Sequence, residues 1–276
     1  METFHRLWAR YNNMDNLKLI DGVKLSEKDI SDYLKTKMLG SPLYFFDEVT
    51  STFDKISEYP RIEGLTVVAK AQTKGRGRLG RSFYSPSGTG LYLSYLFSTK
   101  EPLSAFSALT PACAVVCAGA IEKRCDSHVG IKWVNDLYVD GKKVCGILTE
   151  AIGALNDGEQ NRIVVGVGIN LSTEVFPPEI AQIAGSLGIE SDKKELALDI
   201  ARGLSVFAED PYDRSFMEEY RNRSTVLGKE VCLVRGEERF CGRACDFDEN
   251  GGIVLDLQGE RRLFTGGEIS LRFLNS

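Results

Sequence analysis

Short apolar runs, separated by glycine, asparagine and charged residues, recur along this 276-residue chain and predict a fold that mixes strands and helices. Residues 43–46, 65–71 and 91–98 read as strands, and 162–170 as a buried one. Residues 129–134, 137–139 and 143–151 follow the same pattern. Asp140-Gly141 joins the last two as a two-residue hairpin turn. Helical periodicity marks 24–38, where Ser26 and Asp29 form a capping box and Ile30, Tyr33, Leu34 and Met38 share a face. Further helices are expected at 51–59, 103–124, 193–208 and 212–222, with Thr110 capping and Pro111 in the first turn of the second of these. From Lys229 the pattern changes to short alternating strands at 230–234, 239–246, 252–257, 260–264 and 268–271. Five such strands predict a small β-barrel leaning on the main domain, because so small a core is marginal alone.

Composition narrows the class. A hydrophobic fraction of 43%, a charged fraction of 26% and a net charge of −5 describe an ordinary globular chain and argue against a dedicated nucleic-acid binder. The seven cysteines contain no CxxC pair and have only His5 and His128 to supplement them, so no metal site is expected. Their scatter through apolar runs predicts reduced thiols. No run of about 18 uninterrupted apolar residues occurs, so no membrane span is expected. The expected location is cytoplasmic. Arg6 and Arg10 keep a mitochondrial address as the minor alternative, with Glu2 against it.

Two clusters carry chemistry. After the apolar residues 65–69 comes Gln72-Thr73-Lys74-Gly75-Arg76-Gly77-Arg78-Leu79-Gly80-Arg81. Glycines let such a loop fold back on a ligand, and its arginines aim forked donors at a carboxylate or phosphate. A solvated basic linker is the bland alternative, weakened by the loop's brevity and the chain's acidity. The second cluster is Lys132-Trp133-Val134-Asn135-Asp136-Leu137-Tyr138. Lys132 projects opposite to Ile131 and Trp133, and serves either as a buried counter-charge for an anion or as an edge-strand lysine in water.

Together these clusters resemble the biotin protein ligase family. Thr50-Ser51-Thr52, Lys143–Glu150 with Gly146-Ile147-Leu148, Gly166-Val167-Gly168-Ile169-Asn170 and Gly266-Gly267-Glu268-Ile269-Ser270-Leu271 add matches in order, so the resemblance runs from about residue 43 to 272. It implies an α+β fold: a class II aminoacyl-tRNA synthetase-like mixed sheet flanked by helices, plus a small C-terminal SH3-like β-barrel. The implied division is an N-terminal extension with one helix over 1–40, a catalytic domain over 41–226 and the barrel over 229–276.

The resemblance also implies an activity. Biotin is activated with ATP and Mg²⁺ as biotinyl-5'-AMP, then passed to a lysine of the biotin carrier domain of biotin-dependent carboxylases. Ser51, Thr52 and Gln72 would bond the ureido and valerate ends of biotin. Gly75, Arg76, Gly77 and Arg78 would close over the biotin carboxylate and the α-phosphate. Phe83 would pack on adenine, and Asn135 and Asn170, with Arg76 and Arg78, would contact the nucleotide. Lys132 would sit at the carboxylate–phosphate junction, with Arg78 as its catalytic companion. Phe53 departs from the family's usual Asn, and Val134 from its common Pro. With about fifty residues before Ser51 and no basic recognition helix, DNA binding is not expected, and homodimerisation stays open. The rival readings are a lipoate or octanoate ligase on the same fold and a single-stranded nucleic-acid module using Arg76, Arg78, Arg81, Phe83 and Tyr84.

Overall fold

The computed structural model describes residues 43–59, 64–152, 160–191, 193–266 and 270–273. The helix expected at 24–38, the extension 1–40, and Gly267, Glu268 and Ile269 of the closing motif lie outside the described residues. Seven strands make the larger sheet: β1 (Leu43–Val49), β2 (Leu65–Gln72), β3 (Gly90–Thr99), β4 (Gly130–Lys132), β5 (Asp136–Val139), β6 (Lys142–Ala151) and β7 (Asn161–Asn170). Their spatial order is β1-β2-β3-β7-β6-β5-β4; β1 and β2 run parallel and every other neighbour is antiparallel, so the sheet is mixed. The β5–β6 hairpin turns on Asp140 (φ 49°) and Gly141 (φ 74°), the positive-φ pair that the dipeptide predicts.

Alternation along the central strands assigns the two faces. Leu91 and Leu93, Val167 and Ile169, Cys145 and Ile147, and Leu137 and Ile131 face helices α2 (Leu109–Glu122) and α3 (Lys193–Glu209) in one continuous core. Leu96, Leu148 and Val164 lie on the other face, under the six-residue helix α1 (Thr52–Ser57) with Phe53 and Ile56. Helix α2 begins at Leu109 after a separate turn at Leu103–Phe106, which corrects the single helix expected over 103–124. Its N-cap is Ala108, and Thr110 instead hydrogen-bonds Thr149 at 2.6 Å, so a tertiary partner takes the hydroxyl expected to cap. The helix expected over 212–222 is confined to α4 (Met217–Asn222); turns involving Asp213 and Arg214 occupy the preceding stretch.

Strands β8 (Glu230–Arg235), β9 (Glu238–Phe247), β10 (Ile253–Leu257), β11 (Glu260–Phe264) and β12 (Ser270–Phe273) form a second, antiparallel sheet ordered β11-β10-β9-β8-β12. Within it Cys232 and Cys241 are register partners, with Cα atoms 4.0 Å apart, and form a disulfide. The expectation of uniformly reduced thiols is therefore corrected: both residues lie in alternating strands, and only the pairing register brings them opposite each other. The second sheet is tied to the first where Trp133 Nε1 donates to the Gly251 carbonyl at 2.8 Å and Tyr220 packs on Phe247. Edge strand β4 is held by buried Arg223, whose carbonyl accepts from Ile131 N at 2.7 Å and whose guanidinium pairs with Glu122 at 2.6 Å. That tether fixes the base from which Lys132 projects.

Candidate active site

One row of cross-strand partners builds the floor of the site. Lys132 stands opposite Asp136, Asp136 opposite Gly146, Gly146 opposite Gly168, and Gly168 opposite Tyr92. Partners in register share a face, so this row spans five strands on the side away from α2. The next row on that face runs Leu148, Gly166, Ser94. Three glycines in the middle of the sheet leave a trough. A Cβ on Gly168 would lie 2.5 Å from the Phe83 ring, and one on Gly146 3.2 Å from it. Phe83 therefore lies across the Gly146–Gly168 pair, at the bottom of a cleft of about 340 Å³.

At one end of the cleft a directed chain of hydrogen bonds is in place. Ser94 Oγ donates to Thr52 Oγ1 at 2.9 Å. Thr52 donates its hydroxyl at 3.1 Å and its backbone N–H at 2.8 Å to Gln72 Oε1. Gln72 Nε2 donates to Ser85 Oγ at 2.8 Å, and Ser85 Oγ donates in turn to the Phe83 carbonyl at 2.9 Å. Ser51 caps α1, its Oγ accepting from the N–H groups of Phe53 and Asp54; its own hydroxyl proton is not used by either bond. Thr52 and Gln72 are thus joined directly, Ser51 lines the same cleft, and Ser94 is a further member that sequence reasoning missed. The signal available for Ser94 was weak: a serine midway through an apolar strand.

The glycine-arginine loop folds over this floor, with Arg76 bridged to Ser82 and Phe83 N donating to the Gly75 carbonyl at 2.9 Å. Its glycines do different work. Gly75 is needed for space, since a Cβ there would lie 2.5 Å from the Phe83 carbonyl and 2.7 Å from Ser85 Oγ. Gly80 is needed for conformation (φ 71°), and Leu79 beside it also takes a positive φ of 56°. Arg76 pairs with Asp54 at 3.0 Å and Glu150 at 2.9 Å. Arg78 Nη1 donates to Asn135 Oδ1 at 3.1 Å, and Asn135 Nδ2 donates to the Ile147 carbonyl at 2.8 Å. Strand β6 therefore fixes Asn135, and Asn135 fixes Arg78.

Three cations converge beside the floor. Lys132 is half-buried, its Nζ 5.0 Å from the centre of the Phe273 ring of β12 and 5.5 Å from that of Tyr138. Although β4 is an edge strand, the second sheet covers its lysine, so neither reading of Lys132 as simply exposed nor as simply buried describes it. Burial lowers the Lys132 pKa below 10.5, with Lys143 and Arg81 adding to the effect and Asp136 opposing it. Burial likewise lowers the Arg78 pKa. Lys143, to which the sequence assigned a strand but no role in the site, lines the cleft and pairs with Asp136 at 2.6 Å. Burial and the Asp136 charge push the Tyr138 hydroxyl up to about 12. On β7, Asn170 is buried; its Nδ2 donates to the Gly185 carbonyl at 2.9 Å and its Oδ1 has no hydrogen-bond partner. Phe176, Ile180, Ile183 and Ala184 give the cleft an apolar wall near it.

A polar-ended trough, a loop that covers it and a cluster of cations suit the joining of a carboxylate to a nucleotide phosphate. The match to known proteins agrees with this geometry. The model of the biotin/lipoate A/B protein ligase family matches residues 44–170. The chain is 31% identical over 259 residues to the bifunctional ligase/repressor BirA of Bacillus spizizenii, covering 88% of this chain and 78% of that one. It is 31% identical over 227 residues to BirA of Escherichia coli K12, covering 79% and 69%. A solved biotin protein ligase from Aquifex aeolicus, in complex with biotin and ATP, superimposes with a TM-score of 0.71 at 32% identity, over 84% of this chain and 98% of that one. The chain belongs to the biotin/lipoate A/B protein ligase family. A further relative, 27% identical over 75% of this chain and 79% of its own length, is named biotin–[acetyl-CoA-carboxylase] ligase of Mycobacterium tuberculosis.

Proposed function

We propose that this protein is an ATP-dependent biotin–protein ligase, which activates biotin as biotinyl-5'-AMP and transfers it to a lysine of a carboxylase's biotin carrier domain. The observation that carries the reading is the convergence of Lys132, Lys143 and Arg78 beside a cleft whose far end is already a hydrogen-bonded polar chain. A lipoyl group offers no ureido to meet Ser51, Thr52 and Gln72, which favours biotin over the lipoate alternative. In the first step a biotin carboxylate oxygen attacks the α-phosphorus; the new P–O bond forms as the bond to pyrophosphate breaks. Fixed positive charge at Lys132, Lys143 and Arg78 offsets the charge gathered at that phosphorus. In the second step the neutral amine of the carrier lysine attacks the anhydride carbonyl and AMP leaves. No protein nucleophile is bonded to substrate in either step.

Phe83 and the apolar wall would take adenine, and the free Asn170 Oδ1 suits its amino group. Among the described residues no group of three His, Cys, Asp or Glu side chains could hold a metal ion by itself. The residues fit an Mg²⁺ carried on the triphosphate, with Asp136 as the carboxylate within reach of the cleft. When bound, that ion supplies further neutralisation of phosphate charge. We read the mixed sheet as class II aminoacyl-tRNA synthetase-like and the five-stranded sheet as an SH3-like barrel, with domains at 41–226 and 229–276, acting in the cytoplasm. Biotin-dependent ATP–pyrophosphate exchange, followed by labelling of a purified carrier domain, tests the function. Exchange that depends on lipoate and not biotin would overturn it.

A further inference from the structure

We propose that Phe53, Asp54 and Glu150 clamp the glycine-arginine loop over the cleft through Arg76, making Arg76 a positioning residue rather than a ligand of the biotin carboxylate. The proposal rests on the ligase reading for its consequence, but its geometry stands apart from it. Three side chains from two separate elements meet at one guanidinium. Nη1 lies 3.0 Å from Asp54 on α1, and Nη2 lies 2.9 and 3.2 Å from the two oxygens of Glu150 on β6. The guanidinium carbon lies 4.5 Å from the centre of the Phe53 ring. That ring is itself backed by the sheet, since a Cβ on Gly166 would meet it at 3.3 Å. Phe53 thus has a use where the family pattern has Asn: it lines the cleft and gives Arg76 a face to stack on.

Charge decides between the two roles of Arg76. Two carboxylates face one guanidinium, leaving a net negative charge where a biotin carboxylate would have to approach. An anion is better served by Arg78, Lys132 and Lys143. The clamp instead holds the loop down before substrate arrives, against the backbone entropy of Gly75, Gly77 and Gly80. A loop held down keeps water from the mixed anhydride until the carrier lysine enters.

The test uses the full chain and the double variant Asp54→Asn/Glu150→Gln. In the absence of ligands, amide exchange of residues 76–82 should quicken by about tenfold, the combined worth of two exposed ion pairs. Salt at 1 M should quicken exchange in the parent protein toward the variant, because screening then acts within about 3 Å. With biotin and ATP but no carrier, release of AMP by hydrolysis of the adenylate should rise by a similar factor, while KM for biotin stays within about twofold. Glu150→Asp, which keeps the charge, should restore most of the protection. Unchanged exchange in the double variant overturns the clamp. So does unchanged AMP release with a raised KM for biotin, which would make these groups part of substrate binding. The exchange measurement needs no activity, so failure of the ligase reading would show separately, as absence of biotin activation in the parent.

Discussion

Replacing Gly168 with alanine probes whether the glycine trough is what seats Phe83. The added Cβ would lie 2.5, 2.7 and 2.9 Å from three carbons of the Phe83 ring, closer than carbon atoms approach. Gly168 sits on central strand β7, paired on both sides, so the strand cannot retreat. The ring must lift into the cleft instead. Overpacking of this kind costs about 1–3 kcal/mol, and a chain of this size loses roughly 2–4 °C of melting temperature per kcal/mol. KM for ATP should rise, because the lifted ring occupies space that adenine needs. Adding Phe83→Ala separates the two effects. The double variant should regain most of the melting temperature, yet bind ATP about two- to tenfold more weakly than the parent, having lost the aromatic face. Thermal unfolding and ATP-dependence of pyrophosphate exchange measure both quantities. If Gly168→Ala leaves melting temperature and KM for ATP unchanged, Phe83 does not rest on this floor and the reasoning fails.

Three further outcomes are expected. Gly75→Ala should destabilise the fold by about 1–3 kcal/mol and weaken biotin binding, since the Phe83 carbonyl it would meet is backbone and cannot swing away; a parent-like melting curve and biotin KM would contradict this. The alkaline limb of kcat/KM for ATP should lie below 10.5, because burial makes Lys132 lose its proton early in the free enzyme, whereas bound triphosphate restores it and moves the kcat limb upward. Lys132→Arg stays charged and should abolish the lower limb; a limb at the same pH in that variant would assign it to another group. Arg78→Gly should still form adenylate but release it roughly tenfold faster, the worth of a charged hydrogen bond, giving stray labelling of a bystander protein; labelling confined to carrier domains would refute the role of Arg78.

The strands and the turn at Asp140-Gly141 were legible because each is decided locally, by alternation or by tolerance of positive φ. Elements settled by distant partners were not. Thr110 looks like a cap until Thr149 of β6 takes its hydroxyl. Cys232 and Cys241 look like two more scattered thiols until β8 and β9 pair in one register out of several. The site divides the same way. Ser51, Thr52, Gln72, Asn135 and Asn170 sit in contiguous motifs that carry the family resemblance, so each is legible from its neighbours in sequence. Lys143 was legible only as a strand residue returning from the Asp140-Gly141 hairpin; its ion pair with Asp136, across the register shift between Leu137 and Tyr138, was not.

The glycines show most clearly what a motif conceals. All those of the loop look alike as sources of flexibility, yet only Gly80 uses a left-handed backbone, while Gly75 is required for the space a side chain would fill. Gly146, Gly166 and Gly168 look like weaknesses in strands, where glycine forgoes packing and costs entropy. Their register on one face turns that cost into a trough, filled by Phe83 at one end and by Phe53 at the other. The two rings in turn position the loop: Phe83 is part of its chain, and Phe53 bears Arg76. On the proposed ligase reading, the cleft is shaped by side chains absent from the middle of a sheet as much as by charges present at its edge, and the pairing of Gly146 with Gly168 joins the two at the cleft floor.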